Sequence, residues 1–380
     1  MSAAQSIAPG PAAPWTLYKM DVSYFSGKLE AYLRYKRIAY TAVETDAAGL
    51  DAIHAAVGVK KVPVLVNAAG DWLLDTTPTM AWLEEQYPAH PTLPEDPALR
   101  FVALLIEDYA DEWLWRPAMW WRWVPRASQL ALGRRIADGV QLPGVPRTLV
   151  AHYFAWRQRR TWLWNDGLRR ADADGVRDLY HQELALMSAV LREQPFLLGD
   201  APSVADYGYF ASMYRHFGND PDPAEIMRRE APEVYSWTAR MWHPPAPVPK
   251  PQWRWPESTA WQALWQRIGG DYLPYLAANA QAWADNKRRF DFQGCSLRLA
   301  GTVTHRYRVW CRHQLLRQFR ALSADDQQRV AGLIGDQPGW DDLRSGPLID
   351  PQLDNLYALP KRHGQHRQTL SQRLFGQPRD

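Results

Sequence analysis

Apolar and polar positions follow two different periods along the chain. Between residues 15 and 90, short alternating or apolar runs are interleaved with runs of helical period. These runs predict strands at 15–20, 39–44, 63–66 and 72–74, and helices at 26–36, at 49–57 and directly after 75. The last two strands flank Ala69-Gly70-Asp71, a sequence typical of a hairpin turn. The predicted order is therefore βαβαββα.

The helical period dominates the rest of the chain. One long helix is predicted over residues 100–119, whereas the Pro- and Gly-containing residues 141–146 predict a loop or lid. After a proline-rich connector at 243–251, further helices are predicted at 261–268, 274–284, 307–322 and 325–334, with a hairpin or an extended cover at 290–303. We divide the chain into a disordered lead (1–14), an α/β domain (15–90), an all-helical domain (98–242), a mostly helical extension (252–358) and a basic tail (359–380), of which the last 20 residues are expected to be frayed.

Ser203 and Asp206 begin one of the helices of the second domain. A serine followed three residues later by an acidic residue, after a Gly/Pro loop, is the pattern of a capping box. The helix is predicted from residue 204 to residue 216, and loss of Asp206 is expected to cost about 0.5–2 kcal/mol. This motif belongs to stability and not to chemistry.

Two segments of the α/β domain have the chemistry of a peptide clamp. In a cis peptide bond before Pro63, Val62 would turn its backbone N–H and C=O toward an extended peptide and away from a neighbouring strand. Thr76 is expected near a helix N-terminus, where free N–H groups suit a carboxylate, and Asp75 can pair with an ammonium group. An α-amino acid head group carries both charges.

The order and spacing of three motifs resemble the glutathione transferase superfamily. The motifs are Ser23-Tyr24-Phe25-Ser26-Gly27-Lys28, Lys61-Val62-Pro63-Val64-Leu65, and Asp75-Thr76 with the helix that follows. The capping box at Ser203 and Asp206 resembles the one in the all-helical domain of that superfamily. The resemblance covers residues 15–242 and implies a thioredoxin-like domain followed by a helical transferase domain. It also implies glutathione as cosubstrate, bound through Lys61, Val62, Pro63, Asp75 and Thr76, with Lys60 or Lys61 neutralising the glycyl carboxylate.

In the transferases that this chain resembles, the glutathione thiolate attacks an electrophile, and a hydroxyl or thiol after the first strand stabilises the thiolate. Counting back five residues from Lys28, as the serine-type and cysteine-type classes do, gives Ser23 as the first candidate donor. Tyr24 is the second candidate, Tyr18 would imitate the tyrosine-type classes, and Ser26 remains open.

The resemblance also implies an electrophile pocket on the early helices of the second domain. Tyr109, Trp113 and Arg116 fall at i, i+4 and i+7 and would share one helical face there. Trp suits such a cleft because it combines large apolar area with an N–H, although interdomain packing uses the same residues. The acidic residues 107, 108, 111 and 112 of that helix are expected to be solvated or to balance the helix dipole.

Composition narrows the function classes. A net charge of only +3 disfavours nucleic-acid binding, as do the acids at 166, 172, 174 and 178, which can pair with the nearby arginines of 134–160. The only two cysteines, Cys295 and Cys311, lie far in sequence from Ser23, which disfavours thiol–disulfide chemistry, a disulfide scaffold and a metal site. Residues 1–14 resemble no signal peptide and no membrane span is visible, so a cytoplasmic protein is expected.

Two hypotheses follow from the sequence. The first is a glutathione S-transferase with a role in detoxification. Its thiolate would attack a small hydrophobic, aromatic or halogenated electrophile by conjugation, ether cleavage or dehalogenation, and these three are not distinguished. The second is a non-catalytic binding or scaffold protein that has kept the fold, with the extension closing the cleft or contacting a partner. A homodimer is expected from the resemblance alone.

Overall fold

The computed structural model describes residues 14–140 and 144–362. The first domain has the predicted βαβαββα order: β1 (Trp15–Lys19), α1 (Tyr24–Tyr35), β2 (Tyr40–Glu44), α2 (Ala47–Val57), β3 (Val64–Asn67), β4 (Asp71–Leu74) and α3 (Thr76–Gln86). Strand β1 is parallel to β2 and antiparallel to β3, and β4 is antiparallel to β3. The fold is a thioredoxin-like domain, as predicted.

An all-helical domain follows. It contains α4 (Pro97–Glu112), α5 (Trp115–Trp123), α6 (Arg126–Val140), α7 (Arg147–Gln158), α8 (Ala173–Glu193), α9 (Val204–Ser212), α10 (Pro221–Glu230) and α11 (Pro232–Trp242). A π-helical turn, Met213–Phe217, continues α9. Helix α9 packs against α4 and α1, so the helical domain and the thioredoxin-like domain share one apolar core.

The capping box of α9 is confirmed and does more than cap. Asp206 accepts hydrogen bonds from the backbone N–H of Ser203 at 2.9 Å, its hydroxyl at 2.8 Å, the N–H of Leu197 at 2.8 Å and the indole of Trp237 at 3.1 Å. The carboxylate therefore joins the loop before α9, the helix itself and α11 in one buried network.

The extension is a third, mostly helical layer. It consists of α12 (Gln262–Arg267), α13 (Leu273–Ala284), the hairpin β5 (Arg289–Gln293) and β6 (Arg298–Val303), α14 (Arg306–Arg320), α15 (Ala324–Ile334), α16 (Trp340–Ser345) and α17 (Asp354–Tyr357). Helices α14 and α15 pack on α4, where Phe319 meets Phe101 with ring centroids 5.5 Å apart. The predicted hairpin at 290–303 is confirmed.

The chain then returns to the first domain. Strand β7 (Lys361–Arg362) pairs antiparallel with β4 and completes a sheet of order β2-β1-β3-β4-β7. Arg362 forms an ion pair with Asp71 at 2.9 Å. Lys361 and Arg362, the first two of the last 20 residues predicted to be frayed, form this strand because the exposed edge of β4 offers them hydrogen-bonding partners. Residues 1–13, 141–143 and 363–380, which include most of the predicted lead and half of the predicted lid, lie outside the described residues.

Two expectations for the first helix of the second domain are wrong. The helix predicted over 100–119 breaks at Trp113 and Leu114 into α4 and α5. Pro117 explains the break, because it lacks the N–H that would bond the carbonyl of Trp113 and its ring would clash with that carbonyl in a continuous helix. The acidic face of α4, expected to be solvated, is largely covered by α1 and by the extension.

Candidate functional site

The strand register brings the predicted binding residues to one edge of the sheet. Tyr18 near the end of β1 pairs with Val64 at the start of β3, which in turn pairs with Leu74 at the end of β4. The segments directly beyond these strand ends, with Ser23, Val62-Pro63 and Asp75, therefore lie side by side. Three separate stretches of sequence converge on one place.

Residues 62 and 63 have the expected backbone geometry. The Val62–Pro63 peptide bond is cis, Val62 is half-buried and Pro63 is buried. Strand β3 begins only at Val64, so Val62 precedes the ladder. Of the two lysines before it, Lys60 forms an ion pair with Asp51 of α2, whereas Lys61 is exposed and close enough to Asp75 to lower the pKa of its carboxyl.

Asp75 has an unusual backbone conformation at the start of α3. Its φ of 65° lies in the left-handed region that non-glycine residues rarely adopt, and strain of this kind is concentrated at functional sites. Burial raises the pKa of Asp75 to about 6, although Lys61 and Lys28 oppose the shift. Thr76, the first residue of α3, is buried. The partly buried carboxyl group of Asp75 thus lies beside the positive, N-terminal end of α3.

Ser23 is the N-cap of α1. Its Oγ accepts a hydrogen bond from the backbone N–H of Ser26 at 3.3 Å, and its own N–H donates to Met20 at 2.9 Å. The side chain is half-buried, and its role as an acceptor leaves its hydroxyl proton available to a ligand.

Two of the other three candidate donors, Tyr24 and Ser26, are buried. Tyr24 is buried and donates its hydroxyl to the carbonyl of Ala110 at 2.7 Å. Burial raises its pKa well above the ordinary value. Tyr18 stacks on Trp72 at 6.3 Å, and Ser26 is buried with its Oγ accepting from the N–H of Met20. Of the four candidates, Ser23 and Tyr18 are half-buried, and Ser23 is the one that caps a helix N-terminus.

Lys28 connects the two halves of the site. Its fully buried ammonium group lies between Glu107 and Asp111 of α4 and 3.5 Å from the hydroxyl of Thr77 in the first turn of α3. Burial lowers the pKa of Lys28, but Asp111 and Glu107 outweigh that effect and raise the pKa overall. Thr77 also donates to Glu107 at 2.5 Å. One ion cluster therefore fixes α1, α3 and α4 relative to each other.

The extension supplies the far side of this cluster, which the sequence did not indicate. Arg308 of α14 donates to Glu112 at 2.9 Å, and Tyr272, next to α13, donates to Asp108 at 2.5 Å. Burial raises the pKa of Asp108 to about 7, with hydrogen bonds from Tyr272 and Cys311 opposing the shift. Burial also raises the pKa of the Cys311 thiol well above its usual value, so Cys311 is not a thiolate nucleophile here.

The three residues predicted to line an electrophile pocket lie in the core instead. Tyr109 donates to Glu183 at 2.6 Å, Trp113 packs on Tyr275 of α13, and Arg116 forms an ion pair with Asp166 at 3.2 Å. All three are fully buried. The three side chains do share one face, as their spacing predicts, but Tyr272 and Tyr275 of the extension cover that face.

A different set of aromatic side chains remains half-buried beside the Ser23 turn. Phe25 stacks on Trp115 with ring centroids 6.1 Å apart, and Trp115 meets Trp162 edge-on at 5.1 Å. Sequence reasoning missed Trp115, which lies two residues beyond the predicted Trp113. The sequence shows a cluster of tryptophans here, but which of them face the site could not be assigned without knowing where the helix breaks.

A cavity of about 460 Å³ lies between α3, α4 and α14 and is closed by residues 354–359. Its lining includes Thr77, Glu107, Asp108 and Cys311 but not Ser23, Val62 or Asp75. The cavity is therefore separate from the sheet edge where Ser23, Val62 and Asp75 lie. In the described ranges no group of acidic, histidine or cysteine side chains could hold a metal ion, and no helix is long and apolar enough to cross a membrane.

Comparison with known proteins agrees with the order of the two domains. The family model of the glutathione S-transferase N-terminal domain matches residues 17–91, and that of the glutathione S-transferase C-terminal domain matches residues 150–245. Together these models account for the thioredoxin-like domain and most of the helical domain. The chain belongs to the glutathione S-transferase superfamily.

Solved structures of this superfamily are similar at low identity. They include a glutathione S-transferase from Rhodospirillum rubrum (20% identity, 61% of this chain and 89% of that chain, TM-score 0.41). The beta-etherase LigF from Sphingobium sp. strain SYK-6 matches at 20% identity, with 61% and 96% covered and a TM-score of 0.44. A Methylobacterium radiotolerans glutathione S-transferase, solved with glutathione sulfonate, matches at 20% identity, with 63% and 96% covered and a TM-score of 0.38.

Proposed function

We propose that this protein is a glutathione-dependent transferase in which the Ser23 hydroxyl stabilises the glutathione thiolate for attack on a hydrophobic electrophile. The observation that carries the proposal is the convergence of Ser23, the cis Val62–Pro63 bond and Asp75 at one edge of the sheet. Each residue offers one group that a tripeptide thiol requires.

Each segment would bind a different part of glutathione. The backbone of Val62 would hydrogen-bond the extended peptide, and Asp75 would pair with the γ-glutamyl ammonium group. The first turn of α3, beginning at Thr76, would receive the γ-glutamyl carboxylate. Lys61, exposed and free of the ion pair that engages Lys60, would neutralise the glycyl carboxylate.

The chemical step requires a thiolate near neutral pH. A free thiol has a pKa near 8.5, and lowering it by two units needs roughly 2.7 kcal/mol of preferential thiolate stabilisation. A hydroxyl donor at the N-terminus of α1, in a half-buried position, can supply much of that through a charge-assisted hydrogen bond and the helix dipole.

We place the electrophile against Phe25, Trp115 and Trp162. These half-buried rings adjoin the Ser23 turn, whereas Tyr109, Trp113 and Arg116 are fully buried. An aromatic substrate would stack on the rings. The substrate itself, and the choice among conjugation, ether cleavage and dehalogenation, depend on contacts that the thiolate step does not determine.

The test compares three serine variants by ultraviolet titration of bound glutathione and by turnover of a generic aromatic electrophile. Ser23→Ala should still bind glutathione but lose the thiolate signal and at least about 90% of turnover, because a two-unit shift is worth roughly a hundredfold in thiolate. Ser23→Thr should retain both. Ser323→Ala removes a similar N-cap from α15, where Oγ accepts from Asp326 N–H at 3.1 Å, and should change neither.

The alternative is a binding or scaffold protein without turnover. It predicts that Ser23→Ala and Ser323→Ala behave alike in every assay. Full thiolate formation and turnover in folded Ser23→Ala would rule out the proposed role of Ser23.

A further inference from the structure

The turn that carries Ser23 is held by an arginine of the helical domain. The Nη1 of Arg122, on α5, donates to the backbone carbonyl of Val22 at 2.7 Å. The N–H of Ser23, which belongs to the same peptide group, donates to the carbonyl of Met20 at 2.9 Å. Both ends of the Val22–Ser23 peptide are therefore fixed, one from within the turn and one from the other domain.

Arg122 is itself fixed from two further directions. Its Nε donates to Asp220 at 2.7 Å, its Nη2 donates to the other oxygen of Asp220 at 3.2 Å, and Nη2 also donates to the carbonyl of Arg215. The side chain is only 4% exposed. A guanidinium group that forms two hydrogen bonds to one carboxylate cannot rotate freely. The pair of bonds to Asp220, here called the fork, therefore fixes the direction of Nη1.

A second arginine touches the same turn. Arg215 lies 3.6 Å from the carboxylate of Asp21, and its aliphatic part crosses α1 at Gly27. A Cβ at residue 27 would come within 2.6 Å of Arg215 Cγ, so the helix has room for this side chain only because residue 27 is glycine. The helical domain thus contacts Asp21 by charge and Val22 by hydrogen bond.

We propose that Arg122 is a positioning residue that sets the orientation of the Val22–Ser23 peptide and, through it, the direction of the Ser23 hydroxyl. The inference rests on the proposed function for its catalytic consequence but not for its structural part. Without the Arg122 donor, the carbonyl of Val22 would be left unpaired in a partly buried site, and the peptide would rotate to recover a partner. Such a rotation would move Ser23 and turn a carbonyl dipole toward the thiolate.

Two variants and one matched control test the inference. Arg122→Lys keeps the positive charge but cannot form both the fork and the bond to Val22, and Asp220→Asn weakens the fork without touching the turn. The control is Arg312→Lys. Arg312 is also a buried helical arginine that bonds a carboxylate, Asp342, at 2.9 and 2.6 Å and a backbone carbonyl, that of Pro347, at 2.8 Å.

Two readouts are measured on the full chain: hydrogen exchange of the peptide covering residues 20–26, and the pH at which half of the bound glutathione is thiolate. Arg122→Lys and Asp220→Asn should speed exchange in the turn and raise the titration midpoint by about one unit, which is about tenfold less thiolate below the midpoint. The glutathione Kd should change less than about threefold, since the tripeptide contacts lie elsewhere. Arg312→Lys should change neither readout.

The outcomes separate this inference from the proposed function. Turn exchange equal in Arg122→Lys, Arg312→Lys and wild type would overturn the inference, as would faster exchange with an unchanged midpoint. Wild-type protein that binds no glutathione as thiolate would overturn the proposed function, and turn exchange would then still decide whether Arg122 positions Ser23.

Discussion

At the scale of single residues, Asp75 has the conformation and charge that best fit the proposed glutathione site. Its left-handed backbone and its pKa of about 6 both work against stability of the unliganded protein. A folded-state pKa above the unfolded value means that the ionised group destabilises the fold above about pH 6, and that this penalty fades as pH falls toward 4. An ammonium ligand would remove the penalty.

Asp75→Asn should therefore weaken glutathione binding and stabilise the protein in the absence of ligand. Near neutral pH we expect affinity to fall by about tenfold or more, from loss of a charged hydrogen bond worth about 1.5–3 kcal/mol. The free energy of unfolding should rise by up to roughly 3 kcal/mol. Wild-type affinity should fall as pH drops below about 6, whereas the variant should lose this dependence.

Calorimetry across this pH range, with denaturant unfolding of the same samples, checks both effects. Asp51→Asn, which removes an exposed carboxylate paired with Lys60, is the control and should leave binding and its pH dependence intact. Equal pH dependence in wild type and Asp75→Asn would contradict the role assigned to Asp75.

At the scale of elements, features that depend on residues adjacent in sequence could be predicted, whereas features that depend on tertiary packing could not. The βαβαββα order, the cis proline and the capping box could be predicted because each depends on residues adjacent in sequence. The break at Trp113 and Leu114 also has a local signal, Pro117, which the prediction of one helix overlooked. The burial of the acids of α4 could not be predicted, because their partners Lys28 and Arg308 come from elements distant in sequence.

The capping box gives a prediction at this scale. Asp206→Ala removes the acceptor of four buried donors and should cost about 3 kcal/mol of unfolding free energy, more than an exposed cap. Asp326→Ala, near the N-cap of α15 where the Ser323 hydroxyl donates to Asp326, should cost about 0.5–1 kcal/mol. Urea unfolding measures both, and equal losses would show that the additional bonds of Asp206 contribute nothing.

At the scale of the whole molecule, the extension is part of the fold and not an appendage. Helices α14 and α15 cover α4, and β7 closes the sheet at β4, so the last domain contacts both of the others. No local pattern in residues 252–362 indicates these partners, because a two-residue edge strand carries no periodicity. The resemblance predicts a homodimer, and a sizing experiment that returned a monomer would contradict it.

If the extension shares the core, it should unfold together with the rest. Phe319→Ala removes a buried ring that contacts Phe101 and Trp340, and should lower the unfolding free energy of the entire chain by about 3–5 kcal/mol in a single transition. Circular dichroism and tryptophan fluorescence should give coincident urea curves. Leu348→Ala, at an exposed site, is the control. An early transition confined to the extension would contradict a shared core.

The most direct test of the central claim is calorimetric titration of glutathione into the wild-type protein near neutral pH, with ultraviolet detection of thiolate on the same samples. The account predicts saturable binding to one site per chain, with a thiolate signal that appears in proportion to occupancy. No heat and no thiolate up to millimolar glutathione would contradict it, and would mean that Ser23, Val62 and Asp75 no longer form a working site.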